Sequence, residues 1–420
     1  MSSAEVDAAP ARQTAAHAGP WRVLMIASLA QFGISVVDQG IPTLAAFVKA
    51  DLGLSAATVG LVVAAFPLGK IFGSYAAGRA ADRFGERRVI LLGGGATASF
   101  IALAASAPLA GVVILLAFAG FAGSAATPAG GRLVLNAFLR NRRGFALGLR
   151  QTAVPVAGIF AAAALPWIAH FAGWRPAFVA AGAVAVVALV PLGRLRIRPS
   201  VARVAAAPVP MADTARRNVA LLTIWGCLLV PGQYATLTFL ALDLHQRAGF
   251  ALTTGSLLLV VANAAGAVGR VGWGAVSDRA LGSGRKPLLL VLNGAGLLGA
   301  LLLFVMPGSA SFLAFAGVAA VAGLSLIGFQ GLWVTMVAEA AGPERVGAAT
   351  GFAITFATMA IAASAPGFGL VADLAGSYRA IWLALAVVIG VAFLPALLIR
   401  EETQAQPRRA EQRPAADTCR

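Results

Sequence analysis

Charge is what this chain lacks. Only 11% of its 420 residues are Asp, Glu, Lys or Arg, against about 25% in an ordinary soluble domain. That deficit excludes a soluble enzyme. Acids are scarcest, with 16 Asp and Glu against 32 Lys and Arg, a formal net charge of +16. Cysteine is nearly absent: Cys227 stands in an apolar run and Cys419 in a polar tail, so no disulfide framework follows. The three histidines, His17, His170 and His245, are far apart. No metal site or other cofactor is expected from them. Residues 1–20 hold no short apolar core before a small-residue cleavage site, so no cleaved signal peptide is expected.

What is present is apolar. Hydrophobic residues make up 59% of the chain and the mean hydropathy is +0.85. A membrane-spanning helix needs about 20 apolar residues. Runs cut at charges and turn residues predict twelve such helices, at 22–47, 56–78, 88–107, 109–138, 144–170, 174–194, 218–241, 252–276, 287–306, 310–338, 347–372 and 378–399. The 48 glycines suit close helix contacts in lipid, where small residues let backbones approach. The basic excess belongs to short loops. Arg83, Arg87, Arg88, Arg140, Arg142, Arg143, Arg279, Arg285, Lys286 and Arg345 fall on one side, and little beyond Lys49, Arg175, Arg247 and Arg379 on the other. By the positive-inside rule both termini are cytoplasmic and the excess does not signal nucleic acid.

The expected layout is a cytoplasmic tail (1–20), a first six-helix bundle (21–194), a basic, proline-broken cytoplasmic linker (195–217), a second bundle (218–400) and a cytoplasmic tail (401–420). The halves repeat. Gly78-Arg79-Ala80-Ala81-Asp82-Arg83-Phe84-Gly85-Glu86-Arg87-Arg88 is echoed by Gly274-Ala275-Val276-Ser277-Asp278-Arg279, with Gly78 to Gly274 and Asp82 to Asp278 each 196 apart. Gly144 to Gly148 matches Gly347 to Gly351 at an offset of 203, which Gly173 and Gly376 keep. Two halves of six spans in the same orientation make a parallel repeat about an axis along the membrane normal. The fold class is an all-α polytopic membrane protein of twelve helices in two pseudo-symmetric bundles.

Those runs resemble the major facilitator superfamily. Gly78 to Arg88 is similar to its loop 2–3 signature, Gly-x-x-x-Asp-Arg-x-Gly-Arg-Arg, with Glu86 where the signature often has Arg. Gly274 to Arg279 looks like the degenerate second copy. The resemblance implies two six-helix bundles around a cavity that opens to each side in turn. It implies that Gly78, Asp82, Arg83, Gly85, Arg88, Gly274, Asp278 and Arg279 form the conformational switch. Gly148 to Gly158 only loosely resembles the fifth-span motif of proton-coupled drug antiporters, and Ala119 stands where their fourth-span Arg would be.

A charge at bilayer depth costs roughly 2.5–3.5 kcal/mol on insertion scales, so each one is a functional candidate. Lys70 precedes Gly78 by eight residues, about 12 Å along a helix, too deep to snorkel easily. Arg270 shares a helix face with Asn263, seven residues earlier. Its place in span 8 resembles that of oxalate and monocarboxylate carriers. Asp38 is the lone deep acid of the first half, either counter-ion to Lys70 or proton carrier. The 196 offset carries it to Tyr234, beside Gln233. Arg132 and Arg150, near cytoplasmic ends, read as snorkelling into the inner headgroups.

The expectation is a secondary transporter of the inner membrane for a small organic anion, a carboxylate, moved with protons or by exchange. Lys70, Arg270, Asn263, Gln233, Tyr234 and Gln151 are the candidate substrate contacts, and Asp38 the proton-coupling residue. A monomer is expected. Efflux of drugs or hydrophobic compounds by proton antiport, and a transporter-like solute sensor, are the alternatives. The chain has no nucleotide-binding P-loop for primary active transport.

Overall fold

The computed structural model describes residues 19–139, 142–195, 212–280, 285–342 and 345–400, with the side chains of 143, 144 and 278–280 outside that description. Twelve helices are long and apolar enough to cross a membrane: α1 (Pro20–Leu52), α2 (Ala56–Phe84), α3 (Glu86–Ala104), α4 (Leu109–Ala137), α5 (Phe145–Ala172), α6 (Trp174–Arg194), α7 (Asp213–Ala248), α8 (Leu252–Ser277), α9 (Lys286–Val305), α10 (Phe312–Ala341), α11 (Val346–Ala375) and α12 (Arg379–Leu398). The predicted spans are all there; α1 runs five residues past its expected C-terminal end, and α7 runs five and seven residues past its two expected ends. The acids near their C-terminal ends, Asp51 and Asp243, are paired. Trp174 Nε1 and Arg175 Nη1 each donate to Asp51 Oδ2 at 2.8 Å. Trp382 Nε1 donates to Asp243 Oδ2 at 2.8 Å, and Arg247 Nη2 bonds the same oxygen at 2.5 Å. So α6 is tied to the end of α1 as α12 is tied to the end of α7.

The duplication is written in the backbone. Gly53 and Gly249, which end α1 and α7, have φ of 62° and 70° and lie 196 apart. Gly173 and Gly376, offset by 203, have φ of 88° and 64°. This left-handed region is open to glycine without Cβ strain, which is why glycine ends the helices there. Four helices are interrupted: α4 at Ser124–Ala125, α5 at Thr152, α10 by a π-helical turn at Gly323–Ile327, and α12 at Ala392.

In lipid the bundles are held by close packing and buried hydrogen bonds rather than by a hydrophobic drive. Call the near end of the molecule that where α1 begins, and the far end that where it stops. At the far end the bundles interlock. A Cβ on Gly60 of α2 would overlap the Ala365 carbonyl of α11, and one on Gly369 would overlap that of Ala56. The Asp373 carboxylate of α11 accepts from the Ala56 and Ala57 N–H groups at 2.8 Å, capping α2 from the opposite bundle. The buried apolar clusters follow suit. Tyr234 and Ala365 sit in the far-end core of the first bundle, and Ala46, Ala56 and Ala162 in that of the second. The near-end cores do not mix. Gly78, Gly148, Gly274, Gly347 and Gly351 face open space there. The molecule is closed at its far end and splayed at its near end.

Candidate functional site

The α1 sequence places Gln31, Ser35 and Asp38 at four- and three-residue steps, hence on one helix face. Asp38 is buried and meets α2: Lys70 Nζ lies 2.9 Å from Asp38 Oδ2, with the lysine side chain 29% exposed and the aspartate 11%. Lys70 also stands 5.8 Å from the Phe66 ring centre. On the other side of Asp38 the Tyr234 hydroxyl of α7 donates to Oδ1 at 3.4 Å. One carboxylate thus joins both bundles. Beside Tyr234, Gln233 Oε1 accepts from Gln330 Nε2 at 2.7 Å, and Gln330 Oε1 accepts from Arg270 Nη2 at 2.6 Å. Arg270 Nε donates to the Ile327 carbonyl at 3.2 Å, where the π-helical turn of α10 leaves it accessible.

Two candidate contacts stand apart from this cluster. Asn263 is buried in the α5–α8 seam, where it fills the notch left by Gly158. Its Nδ2 donates to Leu259 at 2.9 Å and its Oδ1 has no partner. Gln151 is exposed beside the break in α5.

Arg150 does not snorkel, and Arg132, a third exposed, is held in ion pairs at the near end. Arg150 is 2% exposed. It donates to Gln31 Oε1 at 2.7 Å and to the Ala126 carbonyl of α4 at 2.5 Å, lying in the notch of Gly130. Its Nε is buried and unpartnered. Arg132 bonds Asp82, and lies 3.1 Å from Glu86. Glu86, the departure from the signature, is buried under it at 6% side-chain exposure. A buried carboxylate needs a partner, and the half-buried Arg132 supplies it. That substitution was the signal available in the sequence.

Of the other switch candidates, Arg83 stacks over Phe84 at 5.3 Å and Arg88 is exposed. Gly85 has φ 83° and turns α2 into α3. Gly78 and Gly274 have no neighbour for a Cβ. The Asp278 and Arg279 side chains lie outside the described residues. In the second half Arg285 Nη2 meets Glu339 Oε1 of α10 at 2.8 Å, so α9 and α10 are tied as α3 and α4 are, with the signs exchanged.

A duplicated twelve-helix bundle, polar at its centre and open at one end, is the architecture of a multi-pass membrane transport protein. The sequence profile of the Major Facilitator Superfamily matches residues 24–365, and again 283–418, and the chain belongs to that superfamily. An uncharacterised MFS-type transporter of Mycobacterium tuberculosis is 31% identical over 350 residues, 81% of this chain and 76% of the relative. The probable galactarate/D-glucarate transporter of Bacillus subtilis is 30% identical over 142 residues, 32% of this chain and 31% of the relative. Among solved structures, a bacterial homologue of the human lysosomal transporter Spinster, inward-facing and occupied, matches with a TM-score of 0.77 at 15% identity, over 91% of this chain and 97% of that one. The xylose transporter of E. coli, partially occluded and inward-open, matches with 0.69 at 15% identity, over 90% and 98%.

Proposed function

We propose that this transporter moves a small organic anion, a carboxylate, across the inner membrane by alternating access, with protons or by exchange. The observation that carries the reading is the sign of the buried charge. In the middle of the helices stand Lys70, Arg150 and Arg270 with one acid, Asp38, while the other buried acids, Glu86 and Asp243, are paired with Arg132 and Arg247 nearer the helix ends. A low-dielectric cavity with that excess favours anions. The partial similarity to a probable galactarate/D-glucarate transporter points the same way. Lys70 and Arg270, one from each bundle, draw in the anion, with Gln233 and Tyr234 as polar neighbours. Asp38 balances Lys70 and takes up a proton when the substrate anion competes for that lysine.

With both termini cytoplasmic, the splayed near end is the cytoplasmic mouth. The Asp82–Arg132–Glu86 cluster then sits at the end that must close when the far end opens, and such ion pairs stabilise one state of a two-state element.

Uptake into proteoliposomes against a panel of carboxylates, with and without a pH gradient, tests this. Carboxylate uptake is expected, and Lys70→Ala and Arg270→Ala each reduce it; unchanged uptake in both variants overturns the anion reading. Asp38→Asn is expected to abolish accumulation driven by the gradient while exchange persists. Gradient-driven accumulation by Asp38→Asn removes Asp38 from the coupling role.

A further inference from the structure

Two guanidinium groups, one in each bundle, form a matched pair. Arg150 of α5 and Arg270 of α8 each donate to the carbonyl of a residue at the interruption of the fourth helix of their bundle, Ala126 in α4 and Ile327 in α10. Each also donates to a glutamine oxygen, Gln31 or Gln330. The two helices meet across the bundle seam where Asn263 fills the notch of Gly158. From that contact Arg150 lies eight residues along α5 and Arg270 seven along α8, both toward the open end. At 1.5 Å per residue those are about 12 and about 10.5 Å, so the two backbone positions lie at similar depth on either side of the seam.

Neither has a carboxylate within ion-pair distance among the described residues. Lys70 does, in Asp38 at 2.9 Å. The lysine and aspartate cancel, and the uncompensated charge is one arginine per bundle. A buried guanidinium held by neutral oxygens alone lacks the charged partner that would offset its desolvation. The Arg150 Nε, buried and unpartnered, leaves one side of its fork unfilled. A carboxylate takes that side with two parallel N–H···O bonds, where Gln31 offers one oxygen.

We infer that the substrate is a dianion, a compound with two carboxylate-like groups, one taken by Arg150 and the other by Arg270. This rests on the organic-anion reading above and adds Arg150 to its site. The glutamine oxygens hold the two guanidinium groups in the empty site and give way to the stronger charge-assisted bonds. A ligand bonded to both bundles binds better when their near ends approach, so it favours closure of that end.

The test is binding to the purified full-length protein, by calorimetry and thermal stabilisation, of malonate, succinate, glutarate and adipate. Each is compared with the monocarboxylate of equal length and with its own monomethyl ester. At least one diacid is expected to bind about tenfold or more tightly than both controls, a difference of about 1.4 kcal/mol. Arg150→Gln and Arg270→Gln are each expected to bring that diacid to within about twofold of its ester, while Arg150→Lys keeps part of the preference. Equal binding of diacids and monoacids to the unmodified protein overturns the inference and leaves the anion reading standing. A preference untouched in Arg150→Gln removes Arg150 from the site. If no carboxylate in the series binds, the anion reading fails and the inference fails with it. The ester comparison needs no variant, so it decides the question even if Arg150→Gln does not fold.

Discussion

The Tyr234 hydroxyl lies 3.4 Å from Asp38 Oδ1, and the two residues are 196 positions apart. That is the repeat offset of the two halves. Equivalent positions of the duplicated unit therefore meet across the boundary between bundles, where evolution has left an acid on one side and a phenol on the other. With Lys70 on Oδ2, the carboxylate carries the ion pair of one bundle and the hydrogen bond to the next.

Removing the hydroxyl should loosen this junction modestly. A neutral hydrogen bond contributes about 0.5–1.5 kcal/mol net. Tyr234→Phe is expected to shift the balance toward the far-open state by less than about tenfold. Spin-label distances across the far end measure it, and no change at all would show that the contact carries no coupling.

Breaking the ion pair costs more than deleting it. Asp38→Leu leaves the Lys70 ammonium without its partner, a loss of about 1–3 kcal/mol in stability. Asp38→Leu with Lys70→Met removes both charges and should recover most of that loss. The check is a double-mutant cycle on thermal unfolding in detergent, where purely additive effects would contradict the pairing.

At the near end the glutamate matters more than the aspartate. The Glu86 side chain is 6% exposed and that of Asp82 54%. Glu86→Arg introduces the residue common in the signature, yet it sets a second cation beside Arg132. It is expected to lower the melting temperature and the transport rate, and Asp82→Asn to cost less stability. Exposed ion pairs contribute about 0–1 kcal/mol. A Glu86→Arg variant as stable as the parent would contradict the cluster described here.

Two seam glycines should respond differently to a methyl group. At Gly60 the added Cβ meets backbone, the Ala365 carbonyl and Pro366, which cannot turn aside. Gly60→Ala is expected to force the far end open, read as faster labelling of a far-end cysteine. At Gly158 the obstacle is the Asn263 side chain. There Gly158→Ala should be rescued by Asn263→Ala, and labelling of the double variant at the rate of the single one would refute this.

Much of the architecture was legible in advance because bilayers enforce it. Twelve apolar runs, a doubled hairpin motif and basic loops on one side leave little choice of fold. Asp38, Lys70, Gln233, Tyr234 and Arg270 were conspicuous for a related reason, since a polar group in an apolar run needs an explanation. Asp38 as counter-ion to Lys70 was one of the readings, and the pair is there; the partners of the arginines were not legible. Gln31 lies 119 residues from Arg150, and Glu86 lies 46 from Arg132. Depth alone sends Arg150 to the headgroups, a reading that ignores which neighbour the side chain faces. Asn263 shares a face with Arg270, yet the seam with Gly158 takes it out of the polar cluster.

The sequence by itself determined the spans, the duplication and the excess of positive charge, because those are properties of composition and period. Tertiary structure alone decided how the charges pair. Lys70 is neutralised by Asp38, while Arg150 and Arg270 keep only neutral partners. The physical reason is that pairing depends on helix rotation and on where α4, α5 and α10 break. Small-residue packing between helices distant in sequence sets both, and periodicity does not encode it.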